Sequence, residues 1–316
     1  MRALVTGATG FVGPYLLRLL TARGWEVYAT VRPGERLGRG EGVRFLRCDI
    51  RDEKRLRSIV RKVRPHRIYH LAALTSVRDS HRQFRTVYDT NFWGTFHLLE
   101  AVRECYRQAR VLIVGSGQAY GRTKEGRRPL TESSPLAPES PYALSKAAAD
   151  MLGYFYAQHY GLNVVRARPF NHTGPGQPPS FVCSELARQV AAIELELAAP
   201  VLRVGNMKAR RDFSDVRDVV QAYWLLLEKG KKGEAYNVCS GRHVSIAEII
   251  RRLSGFTSRG FRLVVEENRL RLGEARVLYG SNQKLRRATG WRPRHTLRQT
   301  LQDLTSYWKE KLSKKQ

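Results

Sequence analysis

The sequence predicts an α/β protein, a Rossmann-type doubly wound parallel sheet carrying a smaller mixed α/β substrate-binding lobe. Three observations predict it. The first half alternates short β-branched runs with longer amphipathic stretches, a glycine cluster joins the first such run to the first helix, and the pattern loosens after "NVVRARPF" into "NHTGPGQPPS". Strands separated by helices of this length run parallel, because each crossover returns the chain to the same edge.

In order, "RALVT" is a strand, "GFVGPYLLRLLTARG" a helix, and "WEVYATV" and "VRFLRCDI" are strands. "EKRLRSIVRKV" is a helix, "RIYHLAA" a strand, Phe84 to Tyr106 one long helix and "RVLIVGS" a strand. Beyond the Gly/Pro-rich loop, a helix opening at Asp215 and the strand "EAYNVCSG" return to the first domain. The expected division is therefore 1–169 plus 213–243 for the sheet-forming domain, and 170–212 plus 244–316 for a lobe closing over the carboxyl ends of the strands.

The chain has 316 residues, 42% of them apolar, enough to bury a full core. Its apolar runs are broken by charge far short of the roughly 20 residues a bilayer span needs. The amino terminus is a poor signal peptide, so a cytoplasmic protein without membrane contact is expected. Cys48, Cys105, Cys183 and Cys239 are widely spaced and form no CxxC pair, which argues for free thiols rather than zinc or disulfides. His66 and His70 lie four apart on a strand, where that spacing builds no ligand pair, and no metal is expected. The net charge of +28 is spread through nearly every segment. Such a field favours an anionic small substrate over a dedicated nucleic-acid face.

"TGATGFVG" places Gly7, Gly10 and Gly13 between the first strand and the first helix, with Thr9, Phe11 and Val12 completing the loop. Gly7 permits the tight turn, Gly10 the approach of a pyrophosphate, and Gly13 the packing of helix on strand. The anion would sit on the helix amino terminus. No acid ends the second strand. Arg32 stands there, with Arg36 close behind, and a cation at that place suits the 2′-phosphate of NADP(H) better than the ribose of NAD(H).

In "SPYALSKAAAD", Tyr142 and Lys146 are one helical turn apart, on one face and about 6 Å from each other. A phenol of pKa about 10 is a sluggish acid–base group, and a neighbouring ammonium is expected to lower it. Ser116, just past a strand end in "VLIVGSGQAYG", is positioned to hold the reacting oxygen.

"TGATGFVG", "HLAA", "GSGQAYG", "PYALSK" and "RPFNHTGPGQ", in that order, resemble the extended short-chain dehydrogenase/reductase family that acts on nucleotide sugars, over essentially the whole chain. Within it, "VGNMKARRDFSDVRDVVQAYWLL", "YNVCSG" and "LRLGEARVLYGSNQKL" are most similar to the GDP-4-dehydro-6-deoxy-D-mannose reductases. The resemblance implies a triad of Ser116, Tyr142 and Lys146, in which Tyr142 donates the proton, Ser116 bonds the same oxygen and Lys146 holds the nicotinamide ribose. It implies cofactor contacts at Asp49, Ile50, Leu71, Ala72, Ala73 and Pro169. Around the GDP-linked 4-keto-6-deoxy sugar it implies Gln118, Asn171, Arg188, Asn206, Arg211, Arg271 and Glu274. Related 4,6-dehydratases carry a carboxylate in the two residues after the triad hydroxyl, where this chain has Gly117 and Gln118. The resemblance therefore implies an NADPH-dependent reductase forming GDP-D-rhamnose, with a 4-epimerase or GDP-mannose 4,6-dehydratase as the alternative. Phe92, Trp93, Tyr154 and Tyr156 are more aromatics than one core needs; in relatives the corresponding helices build a four-helix bundle, so a homodimer is expected.

Overall fold

The computed structural model describes residues 1–35, 42–122, 128–269 and 275–314. β1 (Arg2–Thr6) leads into α1 (Gly13–Thr21), followed by β2 (Glu26–Val31), β3 (Val43–Arg47), α2 (Glu53–Val63) and β4 (Arg67–His70). Next come α3 (Val77–Ser80), α4 (Phe84–Tyr88), α5 (Gly94–Cys105), β5 (Arg110–Val114), α6 (Pro141–His159) and β6 (Asn163–Pro169). The rest comprises β7 (Asn171–Thr173), α7 (Val182–Glu194), β8 (Val201–Val204), β9 (Arg210–Arg211), β10 (Phe213–Asp215), α8 (Val216–Lys229) and β11 (Ala235–Val238). It ends with β12 (Val244–Ser245), α9 (Ile246–Ser254), β13 (Arg262–Val265), β14 (Val277–Leu278), α10 (Gln283–Thr289) and α11 (Leu297–Ser313).

Seven parallel strands form the main sheet in the order β11-β6-β5-β4-β1-β2-β3. β1 lies within it, with Leu4 opposite both Tyr28 of β2 and Ile68 of β4. Alternate residues of a strand face opposite sides. Ala3 and Val5 accordingly join the core beneath α1 and α8, with Leu16, Leu20, Val219 and Leu226. Leu4 joins the core beneath α2 and α5, with Leu56, Ile59, Leu98 and Val102. Burial on both faces is why these strands are continuously apolar in sequence. The chain's order of laying down strands reverses between β1 and β4, the switch point where ligands enter open α/β sheets.

The second lobe carries smaller sheets, β12-β9-β14 and β13-β8, while β10 pairs with β7. Its core gathers Leu186, Ile249, Leu253, Leu301 and Trp308 from α7, α9 and α11. Among the described residues no helix is long and apolar enough to cross a membrane, and no group of three or more His, Cys, Asp or Glu could hold a metal ion. All four cysteines are free.

The single regular helix expected from Phe84 to Tyr106 is interrupted. Asp89–Trp93 forms a π turn between α4 and α5. Side-chain bonds explain why the wider turn is held there: Asn91 Oδ1 accepts from Leu74 N at 2.8 Å, and its amide donates to Leu74 O and Ser145 Oγ at 3.0 and 2.9 Å. Of the four aromatics singled out for a subunit contact, Tyr156 packs inside the core and donates to Glu100, whereas Trp93 and Tyr154 are exposed.

Candidate functional site

The glycine loop lies over the switch point. Gly7 has φ +68°, and a Cβ there would lie 2.6 Å from Ala72 Cα and 2.9 Å from Leu71 C. The Leu71–Ala73 turn is thus seated on Gly7, and it is tied down by bonds from Leu71 N to Thr6 O and from Ala72 N to Thr6 Oγ1. A Cβ on Gly13 would fall 2.0 Å from Ala8 O, so only glycine lets α1 pack against the loop that feeds it. Gly10 differs: the nearest atom to its Cβ would be Gly7 O, at 3.4 Å. The chain itself leaves that space open, which is room for a pyrophosphate. α1 starts after Val12 with no side-chain cap, which leaves its amino-terminal end open to an anion, although Gly13 N donates to Gly10 O and Pro14 carries no N–H. These residues fit a dinucleotide. Phe11 stacks on His172 at 6.1 Å and Tyr15 donates to Pro175 O at 2.7 Å, so this loop also docks on the segment following β7.

At the end of β2, Arg32 is paired. Its Nε donates to Glu35 Oε1 at 2.8 Å, while Thr9 Oγ1 donates to Glu35 Oε2 at 2.7 Å. Glu35 lies past the strand end, and its reach back to Thr9 is a contact between distant segments that the sequence does not display. Arg36 lies outside the described residues. Asp49, following β3, is held by both ends of the Arg51 guanidinium, which keeps its carboxyl below the ordinary range. Ile50 is buried against Gly94.

Ser140 caps α6 by accepting from Ala143 N, and Pro141 occupies its first turn. That start sets the face of the helix on which Tyr142, Lys146 and Asp150 follow at four-residue steps, all buried. Ser116 is buried at the end of β5 and its Oγ accepts from Gln118 N at 3.1 Å, fixing the hydroxyl above the sheet.

The phenol does not behave as the sequence suggested. Burial raises Tyr142 above its ordinary pKa of 10.0, and the hydrogen bond with Ser116 only partly offsets this. The expected lowering by Lys146 does not appear: burial and the Ser116 bond are what act on the phenol, and burial dominates. Lys146 falls from 10.5 to about 8 through burial, with Asp150 pulling it back up. In the folded protein alone the ammonium is thus penalised below about pH 8. Between about 8 and 10.5 the unfolded chain keeps the proton and the folded one does not, so stability rises with pH across that window. Lys146→Met is expected to raise stability at pH 7 by roughly 3 kcal/mol while abolishing turnover. Thermal denaturation checks it: the gain over wild type should shrink as pH passes from 8 toward 10.5.

Two buried side chains join this site that the sequence did not assign to it, His70 having been weighed only as a metal ligand. His70 bonds Thr6 Oγ1 at 2.8 Å and Thr95 Oγ1 at 2.9 Å, and burial, with the Lys146 charge, takes it down to about 3, so it is neutral. Asn91 bonds Ser145 Oγ, which in turn donates to Tyr142 O at 2.8 Å, linking the π turn to α6.

Pro169 is buried at the end of β6, opposite Val238. Asn171 on β7 has a buried Nδ2 with no hydrogen-bond partner among the described residues, which suits a donor to a ligand. Arg211 is buried on β9, between Val244 of β12 and Leu278 of β14. Its neighbour Asp212 pins the Ser240–Gly241 turn through bonds from Ser240 N, Ser240 Oγ and Gly241 N; burial pushes its carboxyl up to about 6. Arg188 lies on α7 and pairs with Glu185 at 3.6 Å, so its charge is shared within the helix. Asn206 Oδ1 accepts from Lys208 N at 3.1 Å. Arg271 and Glu274 lie outside the described residues.

Residues 4–304 match the family described as GDP-mannose 4,6 dehydratase. The chain is 35% identical over 313 residues to a GDP-6-deoxy-D-mannose reductase of Pseudomonas aeruginosa, covering 98% of each. The structure of RMD from Pseudomonas aeruginosa complexed with NADPH aligns with a TM-score of 0.86 at 35% identity, over 98% of this chain and 99% of that one. A UDP-glucose 4-epimerase of Thermus thermophilus in complex with NAD aligns at 0.87 and 30% identity, over 98% and 99%. With a seven-stranded parallel sheet, a glycine loop over its switch point and a tyrosine–lysine helix beside it, the chain belongs to the GDP-mannose 4,6 dehydratase family, within the NAD(P)-dependent extended short-chain dehydrogenase/reductases that modify nucleotide sugars.

Proposed function

We propose that the protein reduces the 4-keto group of GDP-4-dehydro-6-deoxy-D-mannose with NADPH, forming GDP-D-rhamnose. The observation that carries this reading is the pair following Ser116. Gly117 cannot become an acid, because a Cβ there would meet the Phe170 ring at 2.9 Å, and Gln118 does not ionise. Elimination of water across carbons 5 and 6 needs a further acid–base group beside the tyrosine, whereas ketone reduction needs one proton and one hydride. The 35% identity to a GDP-6-deoxy-D-mannose reductase supports the same substrate.

Bound NADPH would supply the hydride. Gly7, Thr9, Gly10, Phe11, Val12 and Gly13 would cradle its pyrophosphate, Arg32 would face the adenosine ribose with Asp49 and Ile50 near the base, and Leu71–Ala73, Pro169 and Lys146 would line its path to the nicotinamide. Tyr142, held protonated by burial, gives its proton to the ketone oxygen, which Ser116 also bonds. Gln118, Asn171, Asn206 and Arg211 bind the nucleotide sugar, with Arg188, Arg271 and Glu274 as further candidates. Residues 1–169 and 213–243 form the cofactor domain in this reading, and 170–212 with 244–316 the sugar-nucleotide lobe. The exposed Phe84, Trp93, Met151, Tyr154 and Phe155, on or beside α4, α5 and α6, form the face of a homodimer.

The test is direct: mix the protein with NADPH and freshly made GDP-4-dehydro-6-deoxy-D-mannose, follow the reduced cofactor by absorbance and identify the sugar. Stoichiometric oxidation with GDP-D-rhamnose formed is expected. Redox-neutral interconversion of a nucleotide sugar on firmly retained cofactor would establish the epimerase instead, and formation of the keto sugar from GDP-mannose the dehydratase.

A further inference from the structure

The site as proposed leaves Glu35 unused, yet the structure holds that side chain from several directions. Its backbone N–H donates to Arg32 O at 3.2 Å, and Arg47 Nη1 donates to its carbonyl at 3.3 Å. One carboxylate oxygen takes Arg32, and the other takes Thr9, twenty-six residues earlier in the glycine loop. The carboxylate thus bridges the phosphate-binding loop and the end of the second strand, the gap that the adenosine ribose of a dinucleotide spans. Burial raises its pKa, but the bonds from Thr9 and Arg32 outweigh this and leave it below the ordinary carboxylate range, so it is charged at neutral pH.

A guanidinium and a hydroxyl are the donors a ribose 2′-phosphate would recruit. We infer that Glu35 is an internal occupant of the 2′-phosphate position and sets the choice of cofactor, accepting from the 2′-hydroxyl of NAD(H), repelling the 2′-phosphate of NADP(H), and so narrowing the preference that Arg32 alone would impose. This rests on the dinucleotide reading of the site and adds selectivity to it. The Arg32 side chain is 61% exposed and that of Glu35 29%. An ion pair so exposed is weak, and an incoming dianion can break it. The chain therefore takes both cofactors, with Glu35 opposing the phosphorylated one. Among the described residues at this end, Asp49 and Arg51 are paired with each other, and Arg47 donates to the backbone carbonyl of Glu35.

The test needs no sugar. Calorimetric titration of the whole protein with NADP⁺ and NAD⁺, and with adenosine 2′,5′-bisphosphate and 5′-AMP as fragments, gives the selectivity directly. In Glu35→Gln the ratio of NAD⁺ to NADP⁺ dissociation constants should rise about tenfold, and the fragment ratio should follow it. In Arg32→Gln both ratios should fall by a similar factor. An unchanged ratio in Glu35→Gln, with both dinucleotides still bound, overturns the inference. Wild-type protein that binds neither dinucleotide overturns the cofactor reading and this inference with it. Binding of both without turnover of the GDP-linked ketone would refute only the substrate.

Discussion

Tyr142→Phe should lower turnover by about 10²- to 10⁴-fold and leave cofactor affinity within a factor of about two. The ring is buried on α6, and phenylalanine fills the same space, so the fold loses one hydroxyl and no packing. That hydroxyl is the group bonded to Ser116 and raised above its ordinary pKa by burial. Reduction of a ketone needs the phenol form, and a raised pKa keeps it populated throughout the neutral range; the same shift would handicap a site working in the oxidising direction. Single-turnover oxidation of NADPH, measured beside the dissociation constant for NADP⁺, separates chemistry from binding. A variant that turns over at near wild-type rate would mean that the proton comes from elsewhere, and His70 is a poor replacement, being neutral, buried and bonded on both ring nitrogens.

What the sequence made legible was local. Gly7, Gly10 and Gly13 fall within one turn and the start of one helix, and Tyr142 and Lys146 share a helix face by spacing alone. The strand alternation gave the main sheet because both faces of β1 are buried, leaving a recognisable apolar run. What escaped depends on contacts between distant segments. Glu35 matters because it reaches Thr9, and Asn91 because a π turn redirects it toward Leu74 and Ser145, which a regular helix from Phe84 to Tyr106 would not anticipate. The acidified phenol expected at Tyr142 failed for a related reason. That expectation counted the neighbouring charge and left out the burial of the ring, which three-dimensional packing alone determines.

The same packing places a carboxylate one turn beyond Lys146, where its removal should have the largest effect on stability. Asp150 is 1% exposed. Arg166 Nη1 donates to its Oδ2 at 2.6 Å, and Arg168 donates to both oxygens at 3.1 and 2.8 Å. The guanidiniums spend their other donors on Gly233 O, Tyr120 OH and Glu132 O. One carboxylate thus balances two buried cations and ties α6 to β6, and through Tyr120 and Asn237 to β11. Asp150→Ala would strand both charges, at a cost of about 3–5 kcal/mol, visible as a lower denaturant midpoint with an unchanged slope. Asp150→Asn, which keeps the volume and one acceptor, should cost less. Removing the negative charge also withdraws what raises Lys146, so the ammonium should titrate below about 8 in either variant, and the activity profile should move with it. A loss under about 1 kcal/mol in Asp150→Ala would mean that the guanidiniums regain water through the cleft of about 340 Å³ that they line with Glu132, Ser133 and Lys284. In that case the cluster would behave as a solvated edge of β6, and the tie between the sheet and the helix bearing Tyr142 would rest on apolar packing.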